Sequence, residues 1–223
     1  MSRKAVNGAV IAIASTFGAA KTFTGVTNAS PGVASFAADP ALAALDIFEI
    51  LTSGWGRLEG RMARSVSPSG AGPYLVGLEG INTTDTSKYP AGEGGGTCRE
   101  ITAWQTIGQI LGEGFAPGGG EQQFIQWQYI DQDVQSQAPT SQTPPTLGFV
   151  LHDDIASLGQ IAIDAAMELG TPVPFRLAFR DGSKSYGTAY WSLQRVPQLA
   201  SNDFAKRSVT LSFVGGRLTE YAT

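Results

Sequence analysis

The residue types that could do chemistry are few, and their spacing is poor. His152 is the only histidine, so any Ser-His-Asp arrangement would have to use it; it stands beside Asp153 and Asp154, where a helix start is expected. That position reads as a loop residue next to a cap. Cys98 is the only cysteine, so no internal disulfide forms, which agrees with a reducing cytoplasm without requiring one. One histidine and one cysteine far apart make no metal-ligand spacing. Asp131 and Asp133, two apart on an expected strand, would share a face; they read as a solvated acidic strip rather than a cation site. The run Gly92-Glu93-Gly94-Gly95-Gly96 lacks Gly-Lys-Ser/Thr and precedes a strand pattern, so no helix N-terminus follows to cradle a phosphate. Trp55, Trp104, Trp127 and Trp191 fall on four separate segments, where core or interface packing explains them as well as a sugar platform does. Arg176, Arg180, Lys184, Tyr186 and Tyr190 interleave charge and aromatics only weakly. The expectation is a chain with no catalytic residue, no cofactor and no metal.

The elements that would position these residues follow from composition and pattern. At 223 residues the chain fits one large all-β domain or two small ones, and 42% hydrophobic against 15% charged residues suits a protein that buries surface against its own copies. The net charge of -4 is unevenly spread: residues 1–99 carry +1, residues 100–175 carry -9 with no Lys or Arg, and residues 176–223 carry +4. A base-free stretch cannot grip phosphates and would repel them. Arg3 and Lys4 before the apolar run Ala9 to Ala14 resemble a secretory signal. Asn7, Gly8, Ser15 and Thr16 break that run, so it reads as a buried strand. No stretch approaches the roughly 20 apolar residues of a membrane span.

Short strands between Gly, Pro, Ser and Asn clusters dominate. Strands are predicted at residues 9–15, 22–27, 46–52, 60–65, 73–78, 99–111, 122–133, 146–151 and 205–214, with a short helical turn at 40–45. Residues 173–180 and 184–192 form a hairpin across Asp181-Gly182-Ser183. Two long loops are expected, 81–98 and 135–145. Loops usually run about 4–6 residues, and longer ones tend to be functional or disordered. The one long helix spans 155–169, with Ile155, Leu158, Ala162, Ala165 (or Ala166) and Leu169 as its core face, Asp153 or Asp154 as cap, and Gly170 at its end. The fold class is mainly β: an antiparallel β-sandwich or barrel with one packed α-helix, in a single domain 1–223.

The run from Gly80 to Gly92, with Arg99-Glu100-Ile101 and Trp104, resembles the signature of the tail tube proteins of long non-contractile-tailed phages. Phe23-Thr24-Gly25, Asn28 to Gly32, Gly119 to Phe124 and Leu211 to Tyr221 support it. The resemblance implies a virion structural protein, assembled in the host bacterial cytoplasm. Its hexameric rings would stack into a tube that conducts DNA, with loops reaching between rings. Implied partners are further copies of the chain, a tape-measure protein, terminator and tip proteins, and transiently DNA; no membrane is implied. Some relatives carry an immunoglobulin-like C-terminal domain, and this chain stops soon after its last core strand.

On that reading residues 99–133 supply strands around the lumen, with Glu100, Glu113, Glu121, Asp131 and Asp133 as lumen acids. Asn82, Thr83, Thr84, Asp85, Lys88, Tyr89, Pro90 and Glu93 would form an inter-subunit or inter-ring loop, because a loop so long should not satisfy itself. The alternative is a secreted β-sandwich adhesin or carbohydrate-binding module, suggested by the N-terminal apolar run and the four tryptophans.

Overall fold

The computed structural model describes residues 8–69, 72–112, 115–201 and 203–222. Its strands in chain order are β1 Val10–Phe17, β2 Lys21–Val26, β3 Gly32–Phe36, β4 Ile47–Ser53, β5 Met62–Val66, β6 Tyr74–Glu79 and β7 Gly96–Ile107. There follow β8 Ala116–Gly118, β9 Gln122–Trp127, β10 Ser136–Gln142, β11 Thr146–His152, helix α1 Leu158–Leu169, β12 Val173–Ala178, β13 Lys184–Leu193 and β14 Lys206–Tyr221.

Strand β7 organises the fold. Its first residues, Gly96 to Cys98, pair with β2 on one side and β4 on the other. With β2–β3, β3–β6, β6–β5 and β5–β4 also antiparallel, six strands close into a small barrel. A side chain at Gly96 would collide with the Thr52 carbonyl, so only glycine lets β4 come this close. Phe23, Phe48, Ile50, Leu58, Leu78 and Cys98 fill this barrel. From Ile101 onward β7 pairs with β1 instead. The sheet continues β1-β12-β13-β14-β11-β8. An antiparallel bridge from Ile110 to Leu151 brings the chain beyond β7 back to β11, so this second sheet also curls on itself. Ile11, Ile13, Phe149, Phe175, Val209 and Leu211 make its core, with Ile163 from the helix.

The predicted strands largely form, and the fold is mainly antiparallel β with, among the described residues, a single short helix. Five points differ from expectation. Gly32–Phe36 is a strand, and residues 40–45 form an irregular turn rather than a helical one. Strand β9 stops at Trp127, so Asp131 and Asp133 sit in the turn after it and not on one strand face. Residues 136–142 are a strand paired with β9 and not a loop. Gly96, Thr97 and Cys98 belong to β7 and not to the long loop.

The helix buries a face that only partly overlaps the expected one: Ala166 is buried and Ala162 packs against the core. Gly159, Gln160, Ile163 and Ala166 are buried, whereas Ile155, Leu158 and Leu169 are 81%, 66% and 65% exposed. The reason is Gly159: a Cβ there would lie 2.9 Å from the Ile107 Cα, so the helix touches the end of β7 at this residue. Two apolar stripes compete on this helix, and backbone contact at Gly159 chooses the shorter one. The N-cap is Ser157, without a side-chain cap bond. Asp153 and Asp154 instead hold the buried Gln160, whose Oε1 accepts from the Asp154 amide (3.0 Å) and whose Nε2 donates to Asp153 (3.1 Å). Gly170 ends the helix with φ 65°, as expected.

Candidate functional site

Residues 80–95 are anchored within the chain, which overturns the expectation that this loop cannot satisfy itself. Thr83 is fully buried, and its hydroxyl lies 2.7 Å from the Thr27 carbonyl and 3.0 Å from that of Ala29. The Asn28 amide donates to the carbonyls of Thr83 (3.0 Å) and Tyr89 (2.8 Å), and the Trp55 indole donates to Pro90 (2.8 Å). Tyr89 is buried, its ring edge-on to Trp55 at 5.2 Å. What faces outward is Asn82, Thr84, Asp85, Lys88, Pro90 and Glu93. Lys88, with Ser87, holds the Asp85 carboxyl down at about 2. The outer side of this loop borders a cleft of about 470 Å³ whose lining includes Arg57, Arg61, Asp85, Lys88 and Tyr89.

Arg99 and Glu100 point to different duties. Arg99 faces Glu49 across the β4–β7 pair, donating from Nε at 2.9 Å, and lies 3.8 Å over the Phe17 ring. Glu49 is almost wholly buried; burial raises its pKa and Arg99 opposes that shift. Patterning of β4 gave no sign of this pair, because Glu49 sits among apolar neighbours. Glu100 is half-buried, and burial, then Asp46, pushes its carboxyl up while Lys21 pulls it down.

The other expected lumen acids scatter. Glu113 lies outside the described residues. Glu121 is exposed at the base of the β9–β10 hairpin, where its amide donates to the Thr143 hydroxyl (3.0 Å). Asp131 and Asp133 are exposed near the hairpin tip.

That hairpin is the feature the sequence reading split into a strand and a loop. β9 and β10 form a two-stranded sheet of their own, with Trp127 opposite Ser136. Phe124, Ile125, Tyr129 and Ile130 are all more than half exposed, Phe124 and Ile125 on alternate faces. A lone two-stranded hairpin is marginal in water, and clustered exposed apolar groups mark interaction surfaces. The alternation of bulk on both faces from Phe124 to Ile130 was the available signal.

Neither Cys98 nor His152 is set up for nucleophilic chemistry. The Cys98 thiol is buried and pushed up to about 12, the wrong direction for a thiolate. His152 ends strand β11, with its ring edge on Phe204 at 5.4 Å and its buried Nδ1 without a hydrogen-bond partner. Asp153 is committed to Arg207 at 2.6 Å. Among the described residues no group of three or more His, Cys, Asp or Glu side chains could hold a metal ion. Trp55 and Trp191 are buried in separate cores, so the four tryptophans make no sugar platform. Among the described residues no helix is long and apolar enough to cross a membrane.

Comparison with known proteins agrees with a structural role. The family model for the phage tail tube protein, TTP, matches residues 53–223. No curated protein matches the chain significantly. Among solved structures, the cap that terminates the tube of the anti-feeding prophage is similar at 16% identity, over 49% of this chain and 80% of that one, with a TM-score of 0.34. That likeness is too slight to bear on function. The match across three quarters of the sequence is enough: the chain belongs to the phage tail tube protein family.

Proposed function

We propose that this protein is the repeating subunit of the tail tube of a long non-contractile-tailed phage. Its copies form hexameric rings, and stacked rings enclose the channel that conducts DNA. The observation that carries this reading is the β9–β10 arm, whose β9 exposes Phe124 and Ile125 on opposite faces and which pairs with no other strand among the described residues. Such an arm gains its stability by lying against a neighbour. Leu158 and Leu169 on the helix, with Ile155 just before it, offer a second exposed apolar surface for burial between subunits.

In this reading β7 belongs to the wall around the lumen, with Glu100 and Glu121 as its acids, and the base-free stretch 100–175 keeps DNA from sticking. The outward residues of loop 80–95 meet an adjacent subunit. A tape-measure protein fills the lumen before DNA, terminator and tip proteins close the ends, and assembly takes place in the host cytoplasm.

Negative-stain microscopy of concentrated protein tests the reading. Hollow tubes or six-fold rings are expected. A chain that stays monomeric at all concentrations overturns it.

A further inference from the structure

The cleft beside loop 80–95 carries three cations, Arg57, Arg61 and Lys88, against one carboxylate, Asp85. Lys88 and Asp85 neutralise each other at 2.5 Å. Arg57 is exposed, and among the described residues it makes no ion pair or hydrogen bond. The tip of the β9–β10 arm has the opposite character. Asp131 and Asp133 stand there exposed, beside the exposed Tyr129 and Ile130, in a stretch of 76 residues without a single Lys or Arg. Neither aspartate has a partner among the described residues, and no described arm residue lines the cleft of its own chain. The cleft's volume falls in the range of about 300–1,000 Å³ that takes a compact ligand.

We propose that the arm tip of one copy seats in the basic cleft of a neighbouring copy, with Asp131 or Asp133 against Arg57. The two patches differ, so the contact is head-to-tail and propagates through a ring or a stack. It rests on the reading that the chain assembles with itself, and it makes Asp131 and Asp133 contact residues and not lumen acids.

The test uses the full chain with Asp131→Lys/Asp133→Lys, with Arg57→Glu/Lys88→Glu, and with all four changes together. Light scattering and microscopy follow assembly against protein concentration and salt, and thermal melts check folding. Each one-sided reversal should raise the concentration needed for assembly at least about tenfold, because close interfacial charge pairs couple by that much or more. The combined variant should return toward wild type, and wild-type assembly should weaken as salt rises. One-sided variants that assemble like wild type overturn the contact, and so does a combined variant that stays apart while its melt is native. In both cases wild-type tubes would leave the tube reading standing. If the cleft variant fails to fold, the tip variant alone decides: normal assembly overturns the contact, and loss regained on mixing with a foldable Arg57→Glu chain supports it.

Discussion

The Tyr221 hydroxyl donates to the Glu79 carbonyl at 2.9 Å, joining residues 142 apart and tying the last strand of the second sheet to the first barrel. Arg64 strengthens the same corner. Its guanidinium lies 4.4 Å over the Tyr221 ring and grips the Glu79 carboxylate through Nε and Nη2 at 2.5 and 2.8 Å. Beside it the Thr219 hydroxyl donates to the Met62 carbonyl at 2.9 Å. Removing the hydroxyl in Tyr221→Phe should cost about 1 kcal/mol, and removing the ring in Tyr221→Ala about 3–5 kcal/mol. Urea denaturation followed by tryptophan fluorescence measures both. Equal effects would mean that the ring does not join the two cores.

Acid should loosen this corner. Arg64 holds the Glu79 carboxyl below the usual carboxylate range, and Gln160, then Arg207, do the same for Asp153. The unfolded chain therefore takes up these protons first. The stabilisation is complete above the ordinary carboxylate values near about 4 and is lost as pH falls through the depressed folded values. The urea midpoint is expected to hold from neutral pH to about 5 and to drop below about 4. In Glu79→Gln the drop should be shallower, and an unchanged acid profile would remove Glu79 from the account.

Thr83 is a structural anchor despite its place in a long surface loop. Thr83→Val keeps the volume but removes the buried hydroxyl that bonds the carbonyls of Thr27 and Ala29 and the Ala29 amide. The expected loss is about 1 kcal/mol. The neighbouring exposed change Thr84→Val should stay within about 0.5 kcal/mol. Parallel chemical melts compare the two, and equal losses would show that the buried hydroxyl is not the anchor.

The arm should separate stability from assembly. Phe124→Ser/Ile125→Ser changes side chains that are 52% and 58% exposed in the single chain. Its melting temperature should match wild type, while light scattering should report loss of the large species. Normal tubes from this variant would move the interface elsewhere.

The two faces of α1 give a matched pair. Ile163→Ala should cost about 2–5 kcal/mol, since Ile163 is fully buried. Leu158→Ala should leave the isolated chain within about 0.5 kcal/mol, because that side chain faces outward. The reverse order in denaturation experiments would restore the face that the spacing of large residues suggests.

What the sequence by itself determined is the part governed by local rules. Alternating apolar residues placed most strands, Asp181-Gly182-Ser183 placed its hairpin turn, and Gly170 placed the helix end, because each depends only on near neighbours along the chain. The poverty of chemistry-bearing residues and the tail tube signature were also legible without coordinates. Tertiary structure decided what depends on distant partners. Pairing of β7 with β2, β4 and β1 closes one barrel and opens the second sheet, and no period in the sequence encodes three partners for one strand. Contact between Gly159 and Ile107 chose the buried helix face against the larger residues on the other side. Thr83 found its carbonyls more than 50 residues away, turning an expected free loop into a clamped one. The arm was half legible: bulk on both faces of residues 124–130 showed that they need cover, but only the fold shows that their own chain leaves them bare.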